Sequence, residues 1–307
     1  MEFHLKMLKN CKILLPTLTN NLHKGQCGRI GIIGGCEEYT GAPYYAAISA
    51  LRTGADLVYV FCFKSAAPII KSYSPELIVL PYLDSPNALE KIKPWLQKLH
   101  SLVVGPGLGS DMIAQNTVKD IFQYISGNSS LNKNQVPIIA DADSLTIIES
   151  DTFKNYSGCV YLTPNVHEFS KLSLRLINHQ TYKPTGDDIQ AVLKKLDGNY
   201  TLILKAEEDM IVNKRTTTIN REKGSSRRCG GQGDILAGSL GTFAYWATKQ
   251  NKYNECDPEI LAAYAATSLT KYANKITFES KERSMITTDI IKNIPKAFQE
   301  LFTKGKD

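Results

Sequence analysis

The sequence predicts an α/β protein with a mostly parallel central sheet that is covered by helices on both faces. Short apolar runs recur along the first two thirds of the chain, and each is followed by a glycine-containing turn and then by a longer segment of helical period. Several runs are apolar throughout, as expected of strands buried on both faces. Seven strands are predicted: residues 29–34, 57–62, 77–81, 101–105, 137–142, 159–163 and 201–205.

The pattern changes after residue 205. Two short β-type segments, residues 209–213 and 216–220, are joined by a basic turn, which predicts an antiparallel hairpin at the edge of the sheet. The last third of the chain is predicted to be helical over residues 234–249, 258–274 and 289–302.

Domain organisation follows from the same pattern. The polar stretch 127–135 (GNSSLNKNQ) predicts a loop between two elements and not a domain linker. The sequence contains no internal repeat. We therefore expect one domain over residues 1–307, with residues 1–23 as an N-terminal extension.

Composition excludes several classes of protein. Of the 307 residues, 43% are hydrophobic and 21% are charged, which excludes a disordered, collagen-like or coiled-coil chain. The formal net charge of +6 is too small and too dispersed for a dedicated nucleic-acid surface, although it suits a polyanionic small molecule.

The cysteines and the lengths of the apolar runs indicate the cellular compartment of the protein. Seven cysteines without a CxxC pair predict free thiols in a reducing compartment. No run approaches the ~20 apolar residues of a membrane helix, and the first residues match neither a signal nor a transit peptide. We expect a complete cytoplasmic protein with no membrane partner, for which a monomer and a homo-oligomer are both open.

A glycine-rich segment, residues 224–247 (GSSRRCGGQGDILAGSLGTFAYWA), is the strongest candidate for a functional site. Gly230, Gly231 and Gly233 lead directly into an apolar helix, so free backbone N–H groups converge and favour an anion. Arg227 and Arg228 add positive charge beside them. The alternative is a plain loop in which Asp234 caps the helix, but three glycines, two arginines and one aspartate within eight residues exceed what a cap requires.

Asp234 is predicted to be a general base. A carboxylate among phosphate-binding amides is electrostatically unfavourable unless it takes part in the chemistry. It could accept a proton from a substrate hydroxyl while the amides hold a transferring phosphoryl group. The segment is not a Walker loop, because GxxxxGK[ST] occurs nowhere in the chain.

The segment Asn165-Val166-His167-Glu168 follows Pro164 at the end of a predicted strand. Glu168 could reach a hydrated Mg²⁺ that bridges phosphates. Alternatively, Asn165 and Glu168 form a capping box at a helix start, and the residues alone favour neither interpretation. His167 is interpreted as a bystander.

Two further strand ends carry candidate residues. VVGPGLG, residues 103–109, is not a dinucleotide fingerprint, because Ser110 stands where GxGxxG needs its third glycine. A hydride-transferring Rossmann enzyme is therefore disfavoured, and these glycines allow either close approach of a ligand or a tight turn. In IADADSL, residues 139–145, Asp143 is interpreted as a helix cap and Asp141 as facing the cleft.

An aromatic segment, residues 39–45, lies between the glycine-rich first strand and the helix that follows it. Tyr44 and Tyr45 are interpreted as core or interface aromatics, and the alternative is stacking on a nicotinamide-type ring.

These motifs carry a resemblance. GQGD, residues 231–234, resembles the GxGD anion-hole motif of the ribokinase-like superfamily, and NVHE, residues 165–168, resembles its NxxE motif. Four stretches resemble the eukaryotic ATP-dependent NAD(P)H-hydrate dehydratases: KGQCGRIGIIGGCEEYTGAPYYAAISALRTGADL, SAAPIIKSYSPELIV, VVGPGLG and RRCGGQGDILAGSLG. The resemblance spans residues 24–241 and continues more weakly to the end. It implies a ribokinase-like fold and ATP-dependent dehydration of S-configured hydrated NADH and NADPH.

The resemblance also implies the site residues. Asp234 is the implied catalytic base, ATP is the co-substrate and Mg²⁺ the cofactor, held by Glu168 through water. The implied ATP-binding residues are Lys205, Ala206, Glu207, Glu208, Asp209, Gly224, Ser225, Ser226, Arg227, Arg228, Cys229, Gly230, Gly231, Gln232 and Gly233. The implied substrate-binding residues are Gly107, Gly109, Asn165, Val166, His167, Glu168, Phe169, Ser170, Lys171 and Asp234.

The sequence departs from the family pattern at one position, and two alternative functions are considered. Ala206 stands where the family has glycine, which affects any contact that requires a positive φ at that position. A vitamin-type kinase of the same superfamily, acting on a hydroxyalkyl heterocycle, is the first alternative. The second is a nucleotide sensor without activity, which Asp234 disfavours because a site that only binds phosphate gains from losing that negative charge.

Overall fold

The structure is a computed structural model that describes residues 2–250 and 257–303. In these residues one sheet has the strand order β3-β2-β1-β4-β5-β6-β7-β8-β9. The strands are β1 Arg29–Ile33, β2 Leu57–Phe61, β3 Ile78–Leu80, β4 Ser101–Val104, β5 Ile138–Ala140, β6 Val160–Leu162, β7 Tyr200–Leu204, β8 Asp209–Asn213 and β9 Thr217–Asn220. All neighbours from β3 to β7 are parallel, whereas β8 pairs antiparallel with both β7 and β9.

Helices cover both faces of the sheet. They are α1 Glu2–Cys11, α2 Gly41–Thr53, α3 Ala67–Tyr73, α4 Ala88–Leu96, α5 Met112–Gly127, α6 Ser129–Lys133, α7 Val166–Ile177, α8 Gly186–Lys195, α9 Gln232–Ala247, α10 Pro258–Lys281 and α11 Thr287–Phe298. Short 3₁₀ turns at Lys12–Leu14, Ala142–Thr146 and Glu282–Ser284 and a π-helical turn at Gln299–Thr303 complete the described elements.

Side chains alternate along the strands and build two cores. In β2, Val58 and Val60 join the core beneath α2, α9, α10 and α11, while Tyr59 and Phe61 join the core beneath α4, α5, α7 and α8. This alternation is the period of two expected of a β-strand. The predicted mostly parallel sheet with helices on both faces is confirmed.

The predicted strands and the edge hairpin are confirmed, with ends that differ by at most two residues. The predicted loop at residues 127–135 is wrong, because it contains α6. Asn128 caps this helix by accepting a hydrogen bond from the Leu131 backbone N–H at 3.0 Å, and the Leu131 side chain is buried in the core. The cap, the buried Leu131 and hydrogen bonds between Asn132 and both Asn155 and Ser157 together hold this otherwise polar segment in place.

The N-terminal helix is attached to the body of the fold. The Cys11 thiol donates to the Leu261 carbonyl at 3.4 Å, and His4 Nδ1 lies 2.7 Å from the Tyr264 hydroxyl oxygen. Both contacts join α1 to α10, and they support our proposal that the chain forms a single domain.

Two other expectations bear on the described residues. Cys27, Cys36, Cys62, Cys159 and Cys229 are free thiols, as predicted, and Cys256 lies outside the described residues. None of the described helices combines the length and the apolar character needed to cross a bilayer.

Candidate active site

The candidate active site lies at the carboxyl edge of the parallel strands. Asp141 follows β5, Thr163 follows β6 and Lys205 follows β7, so these three polar side chains meet at one edge. An isolated parallel bridge between Asn165 and Lys205 extends the pairing of β6 and β7 into this edge. Ligands of open α/β sheets bind at this edge because the loops that leave the strands surround it.

The N-terminus of α9 faces this edge. Gly231 begins the helix with φ +95°, a conformation that favours glycine. A Cβ at this position would lie 2.8 Å from Tyr45 Cδ2 and from Thr287 Cγ2. The next N–H groups, of Gln232, Gly233 and Asp234, belong to the first turn and have no acceptor within the helix. They form a site for an anion.

Asp234 is the third residue of α9 and not its cap, so the capping alternative is wrong. Burial raises the pKa of the Asp234 carboxyl well above its usual range, and the neighbouring charge of Asp141 raises it further. The Lys205 ammonium acts in the opposite direction. The result is a carboxylate that is more basic than a solvated aspartate and lies beside an anion site, as a general base requires.

Lys205 is the central cation of the site. Its Nζ lies 2.8 Å from Asp141 Oδ1 and 3.5 Å from Glu168 Oε2. Burial alone would lower the pKa of this ammonium, but the charges of Asp141 and Glu168 outweigh burial and raise it. A Cβ on Gly233 would lie 3.4 Å from Lys205 Nζ, so the ammonium is adjacent to the first turn of α9.

Asn165 and Glu168 form the capping box of α7. Glu168 N–H donates to Asn165 Oδ1 at 2.9 Å, and Asn165 N–H donates to Glu168 Oε2 at 2.7 Å. This confirms the local role that the residues suggested. The same Glu168 oxygen is close to Lys205, so the carboxylate also belongs to the charged cluster.

The other predicted substrate-binding residues at the start of α7 lie in different environments. Phe169 and Ser170 are fully buried, and Phe169 belongs to the core, so neither side chain is exposed for contact with a ligand. The exposed His167 ring lies 5.8 Å from the Tyr182 ring, away from the charged cluster. Lys171 and Glu168 line a cavity of about 220 Å³ together with Asp143.

The glycine loop after β4 is a tight turn that packs against two neighbouring loops of the protein. Gly105 has φ +119°, and a Cβ there would lie 1.8 Å from the Asp141 carbonyl oxygen. The Gly107 carbonyl accepts hydrogen bonds from Gly35 N–H and Cys36 N–H, both at 2.9 Å. The glycines therefore let the loops after β1, β4 and β5 pack against each other, as the tight-turn alternative predicts.

The Asp143 side chain binds this loop and does not cap the 3₁₀ turn Ala142–Thr146, in which Asp143 itself lies. Its Oδ2 accepts a hydrogen bond from Gly109 N–H at 2.9 Å. The interpretation of Asp143 as a helix cap is therefore wrong, because its carboxylate reaches across the sheet edge to a backbone donor. Asp141 faces the Lys205 cluster, as predicted.

The turn after β7 does not depend on glycine. Ala206 is absent from the described residues that have a positive φ, and its N–H donates to Asp209 Oδ1 at 2.9 Å. Lys271 of α10 holds the turn through Asp209 Oδ2 at 2.9 Å and the Glu207 carbonyl at 2.7 Å. Alanine in place of the family glycine therefore leaves the backbone of this turn unstrained. Glu207 and Glu208 are exposed.

The loop before α9 is tied to α10 and α11. Ser225 N–H donates to Asn274 Oδ1 at 2.6 Å, and Thr287 Oγ1 donates to the Gly230 carbonyl. Gln232 Nε2 donates to the Arg227 carbonyl at 3.2 Å. Exposed positions in this loop are Gly224, Ser226, Arg228 and Gly230, whereas Arg227 and Cys229 are half-buried.

Sequence reasoning missed several residues of the site. Thr163 donates from Oγ1 to Asp141 Oδ1 at 2.7 Å, and Thr287 contacts the Gly231 position beside Tyr45, which the sequence had already singled out. Lys271 and Asn274 hold the two loops. Most of these residues lie on helices distant in sequence, so no local pattern could have identified them.

Solved structures define the class of protein. A ribokinase-like superfamily protein from Enterococcus faecalis aligns with a TM-score of 0.76 at 21% identity, covering 96% of this chain and 95% of that one. An ADP/ATP-dependent NAD(P)H-hydrate dehydratase from Bacillus subtilis, co-crystallised with ATP/Mg²⁺, aligns with a TM-score of 0.72 at 18% identity, covering 95% and 96%. At these identities the likeness concerns the fold, which is ribokinase-like.

Sequence comparison defines the family. The family model described as NAD(P)H-hydrate dehydratase matches residues 30–296. An ATP-dependent (S)-NAD(P)H-hydrate dehydratase of Danio rerio is 47% identical, over 94% of this chain and 86% of that protein. The Homo sapiens protein of the same name is 43% identical, over 98% and 85%. The chain belongs to the NAD(P)H-hydrate dehydratase family.

Proposed function

We propose that this chain is an ATP-dependent (S)-NAD(P)H-hydrate dehydratase, which converts (6S)-hydrated NADH and NADPH to NADH and NADPH and releases ADP and phosphate. This activity is a lyase reaction that repairs damaged nicotinamide nucleotides. The observation that carries the proposal is the position of Asp234. Its carboxyl is buried, has a raised pKa and lies among the free amides of α9.

In the proposed mechanism Asp234 accepts the proton of the C6 hydroxyl. The hydroxyl oxygen then attacks the γ-phosphoryl group of ATP, and the backbone amides of residues 230–233 neutralise the developing charge. This attack forms a phosphate ester at C6 and breaks the bond between the γ-phosphorus and ADP, which departs. The C6–O bond of the ester then breaks with release of phosphate, because the lone pair of the ring nitrogen assists its departure. Loss of a C5 proton restores the C5=C6 double bond, so NAD(P)H is a product and not a redox cofactor.

The charged cluster supports the chemistry of Asp234. Lys205 places a positive charge between Asp141, Glu168 and the first turn of α9. This charge lowers the pKa of Asp234 and so favours its ionised form, whereas burial and Asp141 raise that pKa. Lys205 therefore tunes the base, in addition to its predicted contact with ATP.

We further propose that Mg²⁺ enters with ATP and is held by Glu168 through water. Glu168 Oε2 is engaged by Asn165 N–H and faces Lys205, which disfavours direct coordination by that oxygen. The described residues contain no cluster of three or more metal-ligating side chains. This arrangement fits Mg²⁺, which keeps several waters and binds few carboxylates besides the phosphates. When bound, the ion supplies positive charge to the phosphates.

Asp234 lies between the two proposed subsites, one for ATP and one for the hydrated nicotinamide. The ATP phosphates lie against the amides of α9, between the turn that begins at Lys205 and the loop of residues 224–230. The hydrated nicotinamide lies on the side of Gly107, Gly109 and the start of α7. Tyr45, which contacts the Gly231 position, lies next to the boundary between the two subsites.

We also propose that the enzyme acts in the cytoplasm. Support comes from the seven cysteines, an odd number without a CxxC pair.

The decisive experiment follows the fate of the phosphoryl group. The protein is incubated with Mg-ATP and (6S)-hydrated NADH, while absorbance near ~340 nm and inorganic phosphate are measured together; this wavelength belongs to the dihydronicotinamide chromophore itself. We expect recovery of absorbance with one phosphate released for each ring repaired. Asp234→Asn is the control and should be inactive. No recovery of absorbance would contradict the dehydratase proposal. In a parallel incubation with Mg-ATP and a hydroxyalkyl heterocycle, accumulation of a stable phosphoester would instead favour the vitamin-type kinase.

A further inference from the structure

A second cavity opens at the opposite edge of the sheet, where β1 and β4 begin. Its volume is about 500 Å³, which is within the range of small-molecule sites. The residues that give it chemical character are Leu14, Arg29, His100, Tyr245, Trp246 and Lys249. Tyr245 and Trp246 belong to the last turn of α9, and Lys249 lies just beyond it, whereas Asp234 belongs to the first turn. A helix of 16 residues is about 24 Å long, so this cavity is separate from the candidate active site.

The charge of the cavity is positive. Arg29 and Lys249 line it, and its lining contains no carboxylate. The half-buried Arg29 forms no ion pair with any residue that the structure describes. The neighbouring carboxylate of Asp56 is engaged by Gly25 N–H and Cys27 N–H at 2.8 and 2.9 Å. Among the described residues the Arg29 guanidinium therefore has no carboxylate partner, and its charge can pair with an anion.

The positive charge of the cavity also affects the pKa of His100. Burial lowers the pKa of its imidazole to about 4, and the charges of Arg29 and Lys249 contribute to the shift. The ring is therefore neutral near pH 7. It stacks on Tyr245 with ring centroids 4.4 Å apart and an angle of 20° between the planes.

The walls of the cavity are aromatic and rigid. The Tyr245 hydroxyl donates to the Gln26 carbonyl at 3.0 Å, and Trp246 Nε1 donates to the Cys27 carbonyl at 2.7 Å. Lys249 Nζ lies 5.1 Å from the centroid of the Tyr245 ring. Both aromatic side chains are thus held in place, and the Lys249 ammonium lies over the Tyr245 ring.

We propose that this cavity binds a small organic anion, namely a flat or apolar body that carries one carboxylate or phosphate group. The anionic group pairs with Arg29 and Lys249, and the body packs against Leu14 and the aromatic wall. A charge-assisted pair with a half-buried guanidinium supplies the affinity, and the apolar wall selects against inorganic ions. This binding site goes beyond the proposed dehydratase reaction, because it shares no residue with the candidate active site.

The test uses calorimetric titration of the whole protein with indole-3-acetate and with phenyl phosphate. A non-hydrolysable ATP analogue is present at saturation so that the nucleotide site is occupied. We expect at least one of the two anions to bind, and the neutral indole-3-acetamide to bind at least about tenfold more weakly, because it lacks the charge-assisted pair. The stronger of the two anions identifies the anionic group that the cavity prefers.

Substitutions then locate the binding. Arg29→Gln and Lys249→Gln should each weaken binding by about five- to tenfold, as loss of one charge-assisted contact predicts. Arg283→Gln removes an exposed arginine that does not line the cavity and should leave binding unchanged. Lys249 is exposed, so its variant remains informative if Arg29→Gln does not fold. The proposal is overturned if neither anion binds, if the amide binds equally well, or if both lining variants bind like the parent protein.

Discussion

Lys205 Nζ lies 2.8 Å from Asp141 Oδ1, and the two residues follow strands that are separated by one strand of the sheet. Thr163, which follows that intervening strand, donates to the same oxygen at 2.7 Å. This carboxylate is 2% exposed and holds the ammonium next to the first turn of α9. The ion pair therefore links the architecture of the sheet to the charge environment of Asp234.

Asp234→Asn should abolish turnover and preserve the fold. The substitution keeps the shape of the side chain but removes the base, which typically contributes on the order of 10²–10⁴ in rate. It also removes a charge that is buried next to Asp141, so the melting temperature should be equal to or higher than that of the parent. ATP binding by calorimetry should persist. The exposed Asp197→Asn is the matched control, and near-parental turnover of Asp234→Asn would remove its role as base.

Lys205→Met should move the acidic limb of the kcat/KM profile to higher pH. The Lys205 charge lowers the pKa of Asp234, so its loss raises that pKa. The base acts only when ionised, and a higher pH is then needed to ionise it. Lys205→Arg retains the positive charge and should leave the limb near its parental position. A limb that does not move in Lys205→Met would show that the ammonium does not tune Asp234.

Removing Lys205 should also destabilise the fold through Asp141. Breaking a buried pair by deleting one partner costs about 3–5 kcal/mol, because a buried charge is left without compensation. The double variant Asp141→Asn/Lys205→Met removes both charges and should recover a large part of this loss. Unfolding in urea measures both effects. Equal stability of the single and double variants would show that the unpaired carboxylate is not the cause.

Gly231→Ala should impair the site, whereas Gly230→Ala should be tolerated. Alanine at residue 231 meets a φ of +95° and two side chains at 2.8 Å, while a Cβ at residue 230 has no heavy atom within 4 Å. We expect a cost of about 1–2 kcal/mol at residue 231 for the left-handed conformation, together with a lower kcat because the amides of α9 shift. Thermal melting and steady-state kinetics compare the pair. Equal effects at both positions would contradict this interpretation.

Replacing Arg227 and Arg228 together by alanine should raise the KM for ATP more than it lowers kcat. A positive charge near phosphates stabilises the ground state and the transition state alike. Steady-state kinetics with varied ATP measures both parameters, and Arg283→Ala is the control at an exposed position. A loss confined to kcat would place the pair on the transferring phosphoryl group in the transition state.

The strands and their order of appearance could be predicted because each is a short apolar run with a turn at its end. The edge hairpin was also predictable, because its two short β-type segments lie close together in the sequence and are joined by a short turn. By contrast, α6 was missed because a helix of five residues with one buried apolar side chain, Leu131, is too short to show a helical period.

Capping roles were only partly predictable. The Asn165–Glu168 box is local, and its spacing of three residues indicates it directly. Asp143 and Asp234 also precede or begin helical segments, yet neither acts as a cap. Asp143 instead binds a backbone N–H that is 34 residues away in sequence, and no local rule contains such a partner.

The sequence by itself determined the class of sheet, the glycine-rich anion site and the carboxylate at its centre, because these depend on residue types within a short segment. Only the tertiary structure decided how that carboxylate is charged. The partners that set its pKa, Asp141 and Lys205, come from strands that meet at one edge of the sheet. The electrostatic interaction between two groups depends on their distance and burial, and both are properties of the packed fold.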